Sequence, residues 1–521
     1  MKRTTFLVFI ALICSIRVFS QIDSQPNGGT NKEMKFVTIP VEKVIDKIRG
    51  GLLGQILGDL NGLPHEMQYI NEPGNVKNYI PSLPSGAWTD DDTDFEWFYI
   101  CEMQKDRNVF LPADTIVKLW KERVNKGVWC SNRFARYLMD LGFKPPLTGY
   151  TVFNPWAEFN ISGQFLCETY GLVAPAMPQT ASRIGLNYTT VAIGGEPAQT
   201  TQLFTTMIST AFVENDISKI LDAGIASLDK TSIILNVIND VKNWHKAFPE
   251  NWKETRRLLK EKYTQEEGRI RDKNGYELNT GAVIAALLYG DSDFIETEKM
   301  AFNFGWDADC DAATAGTIVG VTIGYRKMMN RNDRYNPEWQ IVDRYKNTTR
   351  DNMPMDETIT SFADRIIELF EMVNEANGGA KKLVNKQMVY QIPSESPAPM
   401  IKLYAPEIQK QQLKNEFEAK IADQILHGNR EEKARAAYMA ICLDMNEDLR
   451  KNNPKQWNEA CFELSGYWKI MNNIFFVDAK SLKLFREKFE MAGFKNPRKE
   501  YSDSQIYDDL VFRKDPKELY Q

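Results

Sequence analysis

Two short acidic segments hold the residues of this sequence that are best suited to chemistry. One is Asp90–Asp92, and the other contains Asp307, Asp309 and Asp311. Each precedes a helical pattern, so its carboxylates lie at a helix start, where the peptide dipole and free N–H groups favour anions. Carboxylates this close repel one another, and a hard divalent cation such as Mg²⁺, Mn²⁺ or Ca²⁺ is their natural counterion. If the two segments converge, they form a metal site.

Each segment taken alone also has a more ordinary explanation. An acidic triplet such as Asp90–Asp92 is commonly a solvated helix cap. The second segment has acids at positions one, three and five of an EF-hand calcium loop that would begin at Asp307. However, position six is Ala312 instead of Gly, and position twelve is Ile318 instead of Glu. The EF-hand interpretation is therefore excluded.

A glycine-striped helix precedes the first acidic segment. Apolar residues recur at helical spacing from Val44 to Leu60, and glycines recur every fourth residue from Gly50 to Gly62. Each helical glycine costs about 1 kcal/mol relative to alanine, so the stripe indicates that another backbone or a ligand comes very close. The helix closes at Gly58-Asp59-Leu60-Asn61-Gly62, and Glu66 follows as a further candidate acid.

The elements that must position these acids are mainly helical, which predicts an all-α fold. The best strand candidate is the short run Tyr188–Ile193. Further helices are predicted over Asp94–Lys105, Thr115–Val124, Thr200–Phe212, Ser218–Ala226, Thr231–Lys246, Ala282–Leu288, Ile295–Phe304, Ala312–Lys327 and Ile359–Ala376.

The length and the proline distribution predict two folded regions. The chain has 521 residues, whereas single cores stop growing at about 250–300 residues. Three prolines within the segment QIPSESPAPM predict a linker at 386–404. We therefore expect a catalytic domain at 41–385 and a smaller helical C-terminal region at 405–521.

The N-terminus is typical of an exported protein. Residues 1–20 have a basic start and the apolar run Phe6–Ile13, which predicts a cleaved signal peptide and a secreted or periplasmic location. A membrane anchor is the alternative, although this run is short for a bilayer span. Residues 21–40 read as a flexible leader. The formal net charge of -6 excludes a protein that binds nucleic acid by bulk positive charge.

Three motifs in a fixed order resemble those of the ADP-ribosylglycohydrolase family. They read GDLNGLPHE, DDDT and GWDADCDAATAG, and the resemblance extends from about Glu42 to Ala376. It implies an all-α fold whose two-metal site, usually filled by Mg²⁺ with Mn²⁺ as the alternative ion, cleaves a glycosidic bond to ribose.

The resemblance also implies roles for individual residues. Asp90, Asp91 and Asp92 match the first group of metal ligands, and Asp307 and Asp309 match the second. Glu66 matches an acid carried by a mobile loop. The candidate catalytic residues are Glu66, Asp91 and Asp92, and the sequence does not choose among them for the general base. Cys310 stands where most members carry a metal-binding Thr, and a thiol is a poor ligand for Mg²⁺.

Several other residues are candidates for contact with a substrate. Trp88 and Trp306 each precede an acidic segment and could stack on a sugar or base ring, although core packing is the more common role of tryptophan. Polar residues in an aromatic stretch and a glycine pair near the middle of the chain are further candidates to line a pocket. These are Asn154, Gln164, Gly194 and Gly195.

The sequence thus predicts a divalent-metal-dependent glycohydrolase that acts on a small-molecule or glycoside substrate. One alternative is an exported glycosidase that uses the same scaffold on other sugars. A second alternative is a non-catalytic, metal-stabilised binding protein, which would bind a ligand without turnover.

Overall fold

The computed structural model describes residues 35–158, 160–264, 275–329, 339–472, 479–497 and 514–520. The predicted signal peptide lies outside these residues, as does most of the predicted leader. Helices dominate the described chain, and the predicted all-α class is confirmed. In the described ranges, no helix is both long enough and apolar enough to cross a bilayer.

The helices form a densely packed array. In chain order they are α1 (Val41–Gly62), α2 (Asp91–Asp106), α3 (Ala113–Arg123), α4 (Cys130–Asp140), α5 (Glu168–Val173), α6 (Pro178–Thr189), α7 (Glu196–Ala211), α8 (Ile217–Ala226), α9 (Ile233–Ala247), α10 (Trp252–Tyr263), α11 (Tyr276–Gly290), α12 (Phe294–Phe304), α13 (Ala308–Ile323), α14 (Tyr325–Met328), α15 (Ile359–Ala376), α16 (Pro406–His427), α17 (Arg430–Cys442), α18 (Asn446–Asn452), α19 (Pro454–Leu464), α20 (Trp468–Asn472), α21 (Ala479–Met491) and α22 (Pro516–Leu519).

The strands are short and lie at the periphery. They are β1 (Phe36–Pro40), β2 (Ser82–Leu83), β3 (Ala87–Trp88), β4 (Gln340–Ile341), β5 (Tyr345–Lys346), β6 (Asp356–Glu357), β7 (Ala380–Val384) and β8 (Gln387–Pro393). The predicted strand at Tyr188–Ile193 is wrong, because Tyr188 belongs to α6 and the residues that follow form a buried turn. These residues are apolar because they are buried, and a buried turn can have the same composition as a strand.

A three-stranded sheet includes residues of both the leader and the linker that were predicted to flank the catalytic domain. Strand β1 pairs antiparallel with β8, with Phe36 opposite Pro393 and Pro40 opposite Val389, and β8 also pairs with β7. The end of the predicted leader and the start of the predicted linker are therefore ordered strands. Glu395 continues this attachment, because its carboxylate accepts hydrogen bonds from the Thr180 amide and hydroxyl at the start of α6.

The predicted glycine stripe on α1 packs directly against α13, which has small residues at the facing positions. A Cβ atom on Gly54 would lie 2.1 Å from the Gly316 carbonyl oxygen, and one on Gly58 would lie 2.4 Å from the Ala312 carbonyl oxygen. Real Cβ atoms do not approach other atoms so closely. The two backbones therefore touch along this crossing, and only glycine fits there.

The C-terminal helices share the hydrophobic core of the rest of the chain. The Tyr438 hydroxyl on α17 donates to the Phe153 carbonyl at 2.6 Å, and its ring packs edge-on against Phe143 at 5.7 Å. Phe485 on α21 packs against Phe134 on α4. The proposed domain boundary stays a prediction, but these contacts join α17 and α21 to α4 and the loop after it.

Candidate metal centre

Three helix ends converge on one group of acidic side chains. Asp59 lies in the last turn of α1, Asp90 caps the start of α2, and Asp307 caps the start of α13. The glycine crossing brings α1 and α13 together at this point, because a Cβ on Gly62 would lie 2.5 Å from the Asp309 Cα. The two acidic segments predicted from the sequence therefore meet in the structure.

The acids form three overlapping groups that could each hold a metal ion. Within each group, one ligand atom from every residue lies within 4.8 Å of the others. Asp309 belongs to all three groups, so it is the centre of the site. The groups are Asp59, Asp90, Asp92 and Asp309; Glu66, Asp307 and Asp309; and Asp92, Asp309 and Cys310.

Several of the carboxylate oxygens are buried without a hydrogen-bond partner. Both side-chain oxygens of Asp59 lack a partner, as do Oδ1 of Asp92 and Oδ1 of Asp309. Buried polar atoms are normally hydrogen-bonded, and a buried unpaired charge is very unfavourable. Clustered oxygen atoms that are free on several residues fit a hard divalent cation as their partner.

Burial and mutual repulsion raise the pKa values of these acids. Burial is the largest cause for Asp59, Asp92 and Asp309, and the charges of neighbouring aspartates add to it. Burial also raises the pKa of Asp307, and the nearby charge of Glu66 raises it further. In the absence of a cation, the site therefore favours protonated carboxyl groups, and a bound cation would reverse this preference.

Most of the predicted metal ligands are brought together, and one is not. Asp90, Asp92, Asp307, Asp309 and Cys310 all belong to the groups above, and Glu66 joins one of them. Asp91 belongs to none of these groups among the described residues. Its carboxyl group interacts with that of Asp90, and burial raises its pKa. Its predicted roles as metal ligand and catalytic acid stay predictions.

Asp59 is a candidate ligand that the sequence reasoning missed. The GDLNG motif contains it, but only Glu66 was singled out from that part of the chain. The signal lies in the helical register, since Asp59 follows Gly58, which contacts α13 through the crossing. Asp59 also stands three residues before Gly62, which contacts the Asp309 backbone, so Asp59 and Gly62 share a face of α1.

The aromatic and polar residues predicted to contact a substrate have different surroundings. Trp88 is 41% exposed beside the site, so it remains available for stacking. Trp306 is fully buried, with the Arg256 guanidinium 4.6 Å from its ring centroid, so this ring already has a stacking partner within the protein. Asn154 is also fully buried, and its amide donates to the carbonyls of Ser131, Thr148 and Ala192. The predicted substrate contacts of Trp306 and Asn154 stay predictions.

The remaining polar candidates are compatible with their predicted roles. The Gln164 amide donates to Oδ1 of Asp311 at 2.9 Å, which places it next to the acidic cluster, and its own Oε1 has no protein partner. Gly195 has a φ of +64° at the start of α7, and nothing lies within 4 Å of its Cβ position. The predicted substrate contacts of Gln164, Gly194 and Gly195 stay predictions.

The loop that carries Glu66 is attached to the second acidic segment. The Met67 amide donates to the Trp306 carbonyl at 2.7 Å, and both residues have positive φ angles. Positive φ is unfavourable for side chains of this size and is concentrated at functional sites. The contact places Glu66 beside Asp307 and Asp309.

The acidic residues that converge from these helix ends could hold a divalent cation, and the sequence comparison identifies the family. The ADP-ribosylglycohydrolase family model matches residues 40–376, and the chain belongs to this family. A comparison with curated proteins gave no match. The matched region contains every acid of the metal centre and ends at the last residue of α15.

Proposed function

We propose that the protein is a divalent-metal-dependent glycohydrolase that cleaves an ADP-ribosyl or related glycosidic bond with two metal ions. The observation that carries this proposal is Asp309, which is shared by all three acidic groups and keeps a buried oxygen without a partner. A carboxylate in this position would help to hold an ion in each of the three groups. Family membership supports the glycohydrolase activity.

The residues divide naturally between two ion positions. The all-oxygen group of Asp59, Asp90, Asp92 and Asp309 would hold one ion, and Glu66, Asp307 and Asp309 would hold the other or orient the water beside it. Mg²⁺ is the proposed ion and Mn²⁺ the alternative, because both prefer oxygen ligands. The bound ions supply Lewis acidity, which lowers the pKa of a coordinated water.

The chain's own acids would carry out the remaining steps. Glu66 is the proposed general base, because it is only half-buried and comes from a loop that can reach both a substrate and the water. Burial and the charge of Asp90 raise its pKa, which makes its carboxylate a better proton acceptor. The surrounding aspartates would stabilise the positive charge of an oxocarbenium-like transition state.

Cys310 is proposed to act as a hydrogen-bond donor and not as a metal ligand. Burial, together with the charges of Asp307 and Asp92, raises the pKa of its thiol, so the neutral form is favoured. The Sγ atom lies within 4.8 Å of a carboxylate oxygen of Asp92 and of Asp309, so the thiol can donate its proton to one of these acids. A neutral thiol binds Mg²⁺ weakly, so we expect carboxylates and water to complete the coordination.

The location proposed for this activity is outside the cytoplasm. Residues 1–20 have the pattern of a signal peptide, so the mature chain would be secreted or periplasmic. An exported enzyme meets many glycosides besides ADP-ribosylated molecules. A glycosidase that acts on other sugars through the same metal centre is therefore the second candidate.

A substrate screen of the mature chain tests these proposals. The chain beginning at Gln21 would be loaded with Mg²⁺ or Mn²⁺ and offered ADP-ribosyl compounds and a panel of neutral glycosides, with products read by mass spectrometry. Release of ribosyl or ADP-ribosyl products supports the first candidate, and release from other glycosides alone supports the second. Metal binding without any turnover would contradict both and favour a binding protein.

Two variants show whether the acidic centre is responsible for any activity found. Asp309→Asn removes the shared ligand and should abolish turnover. Asp106→Asn changes an exposed acid at the other end of α2 and should leave turnover unchanged. Equal activity in both variants would show that the hydrolysis arises elsewhere.

A further inference from the structure

The loop that follows Glu66 packs against a turn of the second acidic segment, and helix α10 lies behind both. We define the acid loop as residues 66–76 and the aspartate turn as residues 304–307. The Gly305 backbone comes so close to the loop that a Cβ there would lie 2.4 Å from the Tyr69 carbonyl oxygen. At the far end of the loop, the Asn303 side chain accepts from the Val76 amide at 2.7 Å and donates to its carbonyl at 2.9 Å.

Arg256 on α10 joins the acid loop to the aspartate turn. Its Nε donates to the Phe304 carbonyl at 2.7 Å, and its Nη2 donates to the Tyr69 carbonyl at 2.5 Å and to the Ile70 carbonyl at 3.3 Å. The plane of the guanidinium lies over the Trp306 ring, with its central carbon 4.6 Å from the centroid. One side chain thus contacts both the loop that carries Glu66 and the turn that carries Asp307.

The chemistry of these contacts is unusual for a buried arginine. Arg256 is only 2% exposed, and these three hydrogen bonds run to main-chain carbonyls instead of to a carboxylate. Burial lowers the pKa of its guanidinium to about 10, and the charge of Glu72 offsets only part of this effect. A fixed fork of several N–H donors is what arginine provides and lysine does not.

We propose that Arg256 is a positioning residue that fixes the acid loop to the aspartate turn and so holds Glu66 beside Asp307 and Asp309. Arg256 lies outside the three acidic motifs, so it acts on the metal centre through the loop. This inference rests on the proposed metal-dependent function, because it concerns the loop that completes the Glu66, Asp307 and Asp309 group.

Metal titration of the full mature chain tests the proposal. Arg256→Lys keeps the charge but loses the fork, and we expect Mn²⁺ affinity measured by calorimetry to fall about tenfold, the loss typical of groups that orient metal ligands. Arg257→Ala is the matched control, because Arg257 is the next residue on α10, is itself exposed and forms ion pairs with Glu254 and Glu261 of the same helix. This control should bind Mn²⁺ as the parent does.

A double-mutant cycle separates positioning from general support of the fold. If Arg256 acts through Glu66, then Arg256→Lys should have little further effect on Mn²⁺ affinity in a Glu66→Gln background. An undiminished loss in that background would overturn the proposal, because Arg256 would then act on the whole centre. Unchanged Mn²⁺ affinity in the single variant would overturn it as well.

Hydrogen exchange gives a measurement that does not depend on metal binding. The Met67 amide is protected by its bond to the Trp306 carbonyl. In Arg256→Lys, peptides that contain Met67 should exchange faster while peptides from the α1 and α13 crossing keep the parent rate. Parent-like exchange at Met67 would overturn the proposal. A parent chain that binds no divalent ion would instead refute the proposed function, and the exchange result would still test Arg256.

Discussion

Two groups of acids lie one helical turn apart along α2. They differ in whether the protein supplies hydrogen-bond partners for their carboxylate oxygens. Asp92 belongs to the metal centre, and Glu96 on the next turn belongs to an acid pair with Glu168. The Gln55 amide bridges the two, since it donates to the Asp92 carbonyl at 3.1 Å and to the Glu96 carboxylate at 2.7 Å. Glu96 and Glu168 are buried, as are Asp59, Asp92, Asp307 and Asp309 of the metal centre, whereas Asp90 and Glu66 are half-buried.

The acid pair is satisfied by the protein itself. The other Glu96 oxygen accepts from the Thr169 amide at 3.0 Å, and Glu168 accepts from the Cys167 amide and from the Thr314 hydroxyl. In the metal centre, by contrast, both Asp59 oxygens have no protein partner. The difference indicates that Glu96 and Glu168 serve the fold, whereas the metal centre leaves its oxygen atoms for a ligand.

The largest expected effect is the loss of metal binding on substitution of Asp309. Because Asp309 is common to all three groups, Asp309→Asn should weaken Mn²⁺ binding by at least about 100-fold in calorimetry, more than the loss of a group that only orients a ligand. The metal-free variant should melt at or above the parent temperature, because asparagine stays neutral where burial and the neighbouring acids oppose the ionisation of Asp309. Asp106→Asn is the control. A lower melting temperature in metal-free Asp309→Asn would show that this acid is satisfied within the protein.

Substitution in the acid pair should lower the stability of the protein, in contrast to substitution of Asp309 in the metal-free centre. Glu96→Leu removes the acceptor of the Thr169 N–H and one of the two acceptors of the Gln55 amide, so the free energy of unfolding should fall by about 1–3 kcal/mol. Chemical denaturation with and without Mn²⁺ measures this loss. We expect it in both conditions, because Glu96 is not a metal ligand. A loss seen only with Mn²⁺ would place Glu96 in the metal centre and remove the contrast between the two groups.

The pH dependence of stability sharpens the same comparison. Burial raises the pKa of Glu168 to about 7 and that of Asp94 to about 6, despite the Arg350 ion pair of Asp94. Burial also raises the pKa values of Asp59 and Asp92. In the unfolded chain these acids titrate near pH 4, at about 3.9–4.3.

Folding therefore favours the protonated acids, and this contribution to stability is lost as the pH rises from about 4 to 7. Thermal melts of the metal-free protein should show a falling midpoint over that range. Saturating Mn²⁺ should reduce the decline, because the ion binds the ionised form of the centre. A metal-free midpoint that rises steadily from pH 4 to 7 would contradict the raised pKa values.

The smallest expected effect concerns Cys310. Cys310→Thr keeps a hydrogen-bond donor and adds an oxygen ligand, so Mg²⁺ affinity should rise modestly, by less than about tenfold. Cys310→Ala should bind Mg²⁺ about as the parent does. Isothermal titration of the parent and both variants measures these differences. A large loss in the alanine variant would show that the thiol is a ligand for a softer ion such as Zn²⁺.

The sequence was sufficient for the helical class and for most of the acids, because both depend on local patterns. Asp90 and Asp309 follow from residue types at helix starts. Asp59 was missed because its role depends on where α1 crosses α13, and a local pattern does not contain that register. Trp88 and Trp306 have similar neighbours in the sequence, yet one is exposed and the other is buried against Arg256.

The sheet at the edge of the predicted catalytic domain could not be predicted either, because its pairing also depends on residues that are far apart in the chain. Strand β8 pairs with β1, whose residues lie hundreds of positions earlier in the chain. The proline-rich composition after β8 is typical of a linker, and composition alone does not reveal such a distant partner. Arg256 gave no signal either, because nothing in its local sequence marks the two segments that it joins.

The glycine crossing of α1 and α13 limits which parts of this protein could change freely during evolution. Backbone contact at Gly54, Gly58 and Gly62 sets the separation of the two helices, and therefore the spacing of Asp59 and Asp309. The acid loop and the segment around Trp88 are attached to this pair of helices without determining its spacing. Substitutions or insertions in those segments can change what binds beside the acids and can move Glu66, while the spacing of Asp59 and Asp309, which the glycines set, is inherited unchanged.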